Sequence, residues 1–198
     1  DNFTIHKTEN DLINTIEGFL NLDDETARIK YDLGKDVRDW QVSFAKKDLQ
    51  EYYPNKGKIT KISYRPFDIR YTFYTGKTKG FHCYPRNEVM QHFTDDDNFG
   101  IVFKLGNSEE NSVSAIISKN MIDFRSWSRP GMQGGDYIAP LYVKNKTTTQ
   151  ISLLEKVVRT PNLNMEIVYK ICKDLLLKFS TEKLEEERII SPIDILDY

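Results

Sequence analysis

The order of hydrophobic and polar positions divides the chain into helical ends and a strand-rich middle. In the N-terminal part, apolar residues recur every three or four positions, which is typical of one face of a helix. From Ile59 to Val143 the pattern shortens to the alternation expected of strands. The helices predicted in the N-terminal part are Thr8–Leu20, which opens with the capping pair Thr8 and Asp11, Asp24–Leu33 and Asp36–Tyr53.

The C-terminal part returns to a helical pattern after the polar linker Lys144–Thr149. An apolar stripe from Val168 to Phe179 follows Asn164, which is a good capping residue. The charged segment TEKLEEER is predicted to be a solvated helical face or connector. The final SPIDILDY begins a further helix at Ser191 and breaks off within it, so we expect the chain to be a fragment of a longer polypeptide.

These patterns predict an α+β fold with a mixed or antiparallel central sheet, a β-hairpin, and helical segments at both ends. We expect three parts, namely a helical connector over residues 1–55, a β-rich core over 56–146 and a C-terminal helical segment over 147–198. The hairpin is predicted at YTGKTKGF, where the loop from Gly76 to Gly80 joins two alternating stretches.

The segment KISYRPFDIRYTFY, residues 61–74, contains an irregularity. Its alternation changes phase at Arg65-Pro66, which predicts a β-bulge or a strand corner there. Asp68 and Arg70 then lie on the same face of the strand, and the bulge redirects Arg65. One carboxylate can therefore orient one or both guanidinium groups.

Positive charge is concentrated in the strand region, although the net charge of the chain is −2. Residues 56–86 have eight basic residues and one acidic residue, a net charge of +7, whereas residues 1–55 have seven and twelve, a net charge of −5. The basic side chains alternate with tyrosines, a mixture suited to contacts with phosphates and bases. An alternative explanation is a lysine-rich solvent face that protects edge strands from pairing.

The sequence lacks the signals of a membrane or secreted protein. It has no apolar run long enough to cross a bilayer and no leader at its start. Its two cysteines, Cys83 and Cys172, are too few for a disulfide framework and lack metal-ligand spacing. We therefore expect a soluble, cytoplasmic protein.

Catalytic motifs are missing as well. No glycine-rich turn suits S-adenosylmethionine or a nucleotide, and no Asn-Pro-Pro-Tyr or Asp-Pro-Pro-Tyr motif could hold a flipped adenine. His82 and Cys83 point to opposite faces of the strand predicted there, and no acidic cluster has the spacing of a metal nuclease. We predict no catalytic, cofactor-binding or metal-binding residue in this chain.

Four segments occur in the order ITKISYRPFDIRYTFY, YPRNEVMQHF, NFGIVFKL and APLYV. Together they resemble the C-terminal target recognition region of single-chain bacterial restriction-modification enzymes, the type ISP and related type IIG proteins. The resemblance runs from about Ala27 to the end and is most specific at YRPFD-x-R and PRxEVMxH. The loop SRPGMQGGDY has no counterpart in the family, as expected of a segment that differs between target sequences.

The resemblance implies a module that recognises double-stranded DNA for an adenine-specific methyltransferase in the same parent chain. It implies no cofactor in this fragment, with S-adenosylmethionine and Mg²⁺ required by the parent, and no membrane partner. Asp68 and Arg70 are then expected to be scaffold residues. The predicted DNA-binding residues are Arg65 and Arg86 as phosphate contacts, Lys77 and Lys79 in the glycine-flanked loop, and Arg125, Ser126, Arg129 and Gln133 as the base-reading loop.

Two other hypotheses stay open at this point. The acidic flanks fit a protein-interaction or scaffold module of the same enzyme. A fragment with its own nuclease or methyltransferase chemistry is the second, and metal-dependent DNA cleavage by the chain would support it.

Overall fold

The computed structural model describes residues 3–53, 58–95, 97–104, 115–127, 134–144 and 159–198. The predicted linker Lys144–Thr149 falls almost wholly outside these residues. Within the described part of the chain, no helix is both long and apolar enough to span a membrane.

The chain contains helices at both ends and strands in between, as the α+β prediction states. The helices are α1 (Glu9–Leu20), α2 (Asp24–Lys30), α3 (Val42–Tyr52), α4 (Asn87–Met90), α5 (Met165–Asp174) and α6 (Pro192–Asp197), with a 3₁₀ turn at Gln91–Phe93. The strands are β1 (Ile5–His6), β2 (Ile59–Arg65), β3 (Asp68–Phe73), β4 (Gly100–Lys104), β5 (Ile116–Ser118), β6 (Met121–Ile122), β7 (Asp136–Pro140), β8 (Tyr142–Lys144), β9 (Arg159–Pro161), β10 (Lys178–Phe179) and β11 (Ile189–Ile190).

The N-terminal helices form a hydrophobic core with the strand that follows them. Thr8 caps α1 by accepting a hydrogen bond from the Asp11 backbone N–H at 3.1 Å, as predicted. The apolar stripe of α1 packs against α3 and against β3. The fully buried residues of this core include Leu12, Ile16, Phe19, Leu49, Phe73 and Phe81.

The strands that position the candidate site belong to two sheets. The first has the order β1-β3-β2-β6, in which β2 is antiparallel to β3 and parallel to β6. The second is antiparallel and has the order β5-β4-β7. A second hydrophobic core joins them through Ile62, Phe93, Val102, Met121 and Ile138. The mixed sheets and terminal helices confirm the predicted fold class.

The β-hairpin lies elsewhere than predicted. It consists of β2 and β3, where the sequence pattern predicts a β-bulge or a strand corner rather than a reversal of the chain. Its turn is Pro66-Phe67, between the paired residues Arg65 and Asp68. The ladder shifts register between Ser63 and Arg65, so the predicted irregularity is present one residue earlier. Proline followed by a residue with positive φ, here Phe67 at 62°, is typical of a type II turn.

The prediction of a hairpin at Gly76–Gly80 is therefore wrong. No strand lies between these residues and α4. The segment is a loop that is hydrogen-bonded to the buried Asp48. The Asp48 Oδ2 atom accepts hydrogen bonds from the Phe81 backbone N–H at 2.7 Å and the Thr75 hydroxyl at 2.9 Å. These bonds take the place of a strand partner.

Three predicted helices are shorter than expected. Helix α2 ends at Lys30 rather than Leu33, since Asp32 adopts a positive φ of 51°. Helix α3 begins at Val42 rather than Asp36, because the Asp36 carboxylate accepts the Val42 backbone N–H at 3.1 Å and so ends the preceding turn. Helix α5 ends at Asp174, since Leu176 adopts a positive φ of 54°. Phe179, at the end of the predicted stripe, lies in β10 instead.

Candidate nucleic-acid interface

The hairpin positions two arginines around one tyrosine. The guanidinium carbons of Arg65 and Arg70 each lie 3.9 Å from the centroid of the Tyr64 ring. Because two guanidinium groups cannot occupy one face at that distance, they lie on opposite faces of the ring. Such cation–π stacking fixes the planes of both groups.

Each of these arginines also has a carboxylate partner. The Arg70 Nη2 atom donates to Asp68 Oδ2 at 2.8 Å, and this hydrogen bonding holds the pKa of the Asp68 carboxyl below its usual value. The Arg65 Nη1 atom donates to Asp123 Oδ2 at 2.6 Å. The sequence suggested that one carboxylate orients one or both guanidiniums, and in the structure Asp68 holds Arg70 while Asp123 holds Arg65.

Arg86 differs from the other two arginines in its surroundings. Its side chain is exposed, and its guanidinium lies 5.5 Å from the ring centroids of both Phe124 and Tyr137. Among the residues that the structure describes, no carboxylate forms an ion pair with it. Its backbone has a φ of 48° at the residue before α4, where the chain turns into the helix. Arg86 is therefore an oriented cation whose charge is available to an anionic ligand.

A cleft of about 390 Å³ lies beside Arg86. Its lining combines apolar and polar side chains, including Tyr74, His82, Tyr84, Arg86, Asp123 and Phe124. The His82 Nε2 atom is 2.7 Å from the Thr72 hydroxyl, which in turn donates to the Thr4 carbonyl at 2.7 Å. Burial lowers the pKa of His82 to about 4, so the ring is neutral at neutral pH.

The segment from Asp123 to Asp136 is fastened at both ends. The Asp136 backbone N–H donates to the Phe124 carbonyl at 2.9 Å, and the Trp127 backbone N–H donates to Asp136 Oδ2 at 2.6 Å. Asp123 is held by Arg65 on the hairpin. We define these contacts as the loop base, because they join the two chain ends between which residues 128–133 lie.

The structure brings three of the predicted DNA-binding arginines to the loop base. Arg65 binds Asp123, Arg86 stacks on Phe124, and Arg125 is the next residue along the chain, with its backbone N–H 3.3 Å from Asp123 Oδ2. Arg129 and Gln133 lie outside the described residues. Ser126 departs from the expectation, because its side chain is only 1% exposed and a buried hydroxyl cannot contact DNA in this arrangement.

Lys77 and Lys79 are not part of this cluster. Lys77 forms an ion pair with Glu51 on α3 at 2.9 Å, and Lys79 is exposed in the same loop. Strand β3 separates this loop from the Pro66-Phe67 turn by about 17 Å, given the rise per residue of a strand. The two lysines thus lie at the other end of β3 from the hairpin turn.

Sequence analysis missed the contributions of Tyr64, Phe124 and Asp123. Pro66 suits the second position of a turn. Type II turns favour glycine after the proline, and because Phe67 stands there instead, the sequence did not indicate this turn. Across the described ranges, no group of three or more His, Cys, Asp or Glu side chains is placed to hold a metal ion.

Two solved structures share the fold. One is the ATP-dependent Type ISP restriction-modification enzyme LlaBIII bound to DNA, with a TM-score of 0.51, 16% identity, and coverage of 86% of this chain and 11% of that chain. The other is a DrdV–DNA complex, with a TM-score of 0.52, 12% identity, and coverage of 89% of this chain and 16% of that chain. This chain therefore spans only a small part of the length of either protein.

Among curated proteins, no sequence matches the chain. The family model of the Type ISP C-terminal specificity domain, by contrast, matches residues 1–198. Because this match spans the full sequence, the chain belongs to the Type ISP C-terminal specificity domain family.

Proposed function

We propose that this chain is the sequence-specific DNA recognition module of a bacterial restriction-modification enzyme. Its family membership supports the proposal, as does a fold shared with two proteins whose structures are DNA complexes. The module would hold duplex DNA in position for chemistry that other domains of the parent perform.

One observation carries the proposal furthest, namely the environment of Arg86. An exposed guanidinium 5.5 Å from the centroids of two aromatic rings, with no carboxylate partner among the described residues, suits a phosphate oxygen. Arg125 lies next to Phe124 and so extends the basic surface along the loop base. Residues 128–133, which include Arg129 and Gln133, are joined to this base, and we assign the reading of base edges to Arg125, Arg129 and Gln133.

The chemistry of the parent follows as a further part of the proposal. Adenine-N6 methylation, and cleavage where it occurs, belong to other domains, which require S-adenosylmethionine and Mg²⁺. This chain would need no cofactor of its own. Because the DNA that such an enzyme acts on lies in the bacterial cytoplasm, we place the protein there.

The methyltransferase domain of the same parent chain is the proposed protein partner. Helix α5 supports a protein contact, because Ile167 and Ile171 on the helix and Leu175 at its C-cap, spaced four residues apart, are 57%, 40% and 64% exposed. Apolar side chains grouped in this way mark interaction sites more often than scattered ones do. The same feature favours a scaffold role as the second candidate function, which need not exclude DNA binding.

The test separates phosphate contacts from base contacts. Duplexes are selected from a randomised library by the full-length protein, and binding to the selected duplex and its single-base variants is measured at several salt concentrations. Arg86→Ala should weaken binding to all of these duplexes alike and lower the slope of log K against log salt by about 1, because one phosphate contact is lost. Arg125→Ala should instead relax preference at one position.

Two variants serve as controls. Lys79→Ala changes an exposed cation at the other end of β3 and should leave the preference between sequences unchanged. Arg65→Ala tests the prediction that Arg65 contacts a phosphate. If the variant has a lower free energy of unfolding but the same slope of log K against log salt, Arg65 is a scaffold residue. Failure of the wild-type protein to select any sequence would contradict the proposed function and favour the scaffold role.

A further inference from the structure

The hairpin turn carries a phenylalanine that folding does not explain. Phe67 is 104% exposed, so its ring packs against none of the residues that the structure describes. Its backbone φ is 62°, a conformation that costs free energy for any residue with a Cβ atom and that glycine adopts freely. Phe67 therefore destabilises the fold in two ways, through its exposed ring and through its strained backbone. Strain of this kind is typical of functional positions.

The turn around Phe67 is built to be rigid. Pro66 fixes its own φ, and the paired residues Arg65 and Asp68 close the turn. Immediately behind it, the Tyr64 ring is clamped between the guanidiniums of Arg65 and Arg70 at 3.9 Å. A ring presented on such a support keeps little freedom to lose on binding.

The charge of the hairpin indicates what the ring contacts. Residues 58–73 contain four basic residues and one acidic residue, a net charge of +3. A basic hairpin with an apolar tip is complementary to duplex DNA, where the cations meet phosphates and the ring meets the stacked bases. Phenylalanine and proline are both residues that proteins insert between base pairs, and here they are adjacent.

We propose that Phe67 inserts between two neighbouring base pairs of the bound duplex and partly unstacks them. This inference rests on the proposed function, because it assumes that the chain binds DNA. The energy of unstacking depends on the step that is opened, so the ring contributes preference at a position where no hydrogen bond is made to a base. Pyrimidine–purine steps are the most easily unstacked and are the expected site.

The experiment uses the full-length protein and the duplex that it selects from a randomised library. The fluorescent base 2-aminopurine is placed at each position of the selected duplex in turn, because its emission rises when it loses a stacking neighbour. The wild-type protein should increase emission at one step. Phe67→Gly should abolish that increase and weaken binding about tenfold, within the range for loss of a base–aromatic stack.

The choice of variants keeps the outcome interpretable. Phe67→Gly relieves the positive φ, so the hairpin should fold at least as well as in the wild type. Its salt slope should stay unchanged, because no phosphate contact is lost. Phe67→Leu retains an apolar wedge and should keep part of the fluorescence increase. Ile117→Ala is the control, because Ile117 is a different exposed apolar residue, 50% exposed. This variant should bind the duplex and increase the fluorescence as the wild type does.

Three results would overturn the inference. Selective binding with no change of 2-aminopurine emission, or with the same change in Phe67→Gly, would reject the wedge and leave the proposed function intact. A loss of methylation at saturating DNA, with unstacking retained in Phe67→Gly, would place Phe67 against another protein domain instead. If the wild-type protein selects no sequence, the proposed function fails and the inference fails with it.

Discussion

Asp68 and Arg70 form an ion pair beside the hairpin turn. Asp68→Ala should lower the free energy of unfolding by about 1 kcal/mol, because it leaves the largely buried Arg70 guanidinium without its acceptor. We expect no larger effect, since the Asp68 side chain is 37% exposed and solvent screens the pair. Denaturant unfolding measures the change.

A matched control separates this effect from the loss of any acidic side chain. Glu185 is exposed in the connector before β11, and Glu185→Ala should leave the free energy of unfolding nearly unchanged. If Asp68→Ala is no more destabilising than Glu185→Ala, the scaffold role of Asp68 is wrong.

His82 gives the protein a distinct dependence of stability on pH. Its folded-state pKa of about 4 lies below the usual histidine value of 6.5, so over this interval the unfolded chain binds a proton that the folded chain does not. The contribution of the neutral His82 to the free energy of unfolding is therefore complete above about pH 6.5 and decreases as the pH is lowered towards 4. We expect a loss of about 3 kcal/mol over that interval.

Urea unfolding at a series of pH values checks this expectation. His82→Gln should remove the decrease between pH 6.5 and 4. The decrease below that interval should persist, because Asp68 has a lowered pKa and loses its stabilising effect only as the pH falls through it. An unchanged profile in His82→Gln would contradict the role of this residue.

The loop after β3 depends on one buried carboxylate from α3. Asp48→Ala should lower the free energy of unfolding by about 2–3 kcal/mol, because the Phe81 N–H and the Thr75 hydroxyl lose their acceptor. Asp48→Asn should cost less, since its amide oxygen can still accept both bonds. Gly80→Ala should also destabilise the protein, as a Cβ there would lie 2.2 Å from Asp48 Oδ2. Equal effects of the Ala and Asn variants would contradict this account.

The starts of three helices were predictable because their capping signals are local. Thr8, Asn164 and Ser191 each cap a helix, and Ser191 with Asp194 forms a complete capping box. The hairpin was not predictable in the same way, since its turn uses Phe67 where glycine is expected. The loop at Gly76–Gly80 has the composition of a hairpin, and only the distant Asp48 decides against it.

The candidate site was predictable only as a set of residue types. Sequence analysis found Arg65, Arg86 and Arg125 through the concentration of charge and the family resemblance. It did not find their partners, because Arg86 meets Phe124 and Tyr137 through contacts between segments that are far apart in the chain. The boundaries predicted at residues 55–56 and 146–147 stay predictions.

For the chain taken in its entirety, we predict binding without catalysis. Incubation of the isolated 198-residue chain with duplex DNA, Mg²⁺ and S-adenosylmethionine should leave the DNA uncut and unmethylated. The sequence supplies neither a methyltransferase motif nor metal-nuclease spacing. Electrophoresis and transfer of a labelled methyl group are the measurements, with the full-length enzyme as positive control. Methyl transfer by the chain alone would overturn the division of labour between domains.

The loop base bears on how such enzymes acquire new targets. Its hydrogen bonds between Phe124, Trp127 and Asp136 join the two chain ends on either side of residues 128–133. If residues 128–133 read bases as proposed, their exchange would change the recognised sequence while the residues that form the loop base stay the same. A restriction system could thereby change its specificity in a few steps while its core stays the same. The anchoring contacts would then be older than any particular recognition sequence.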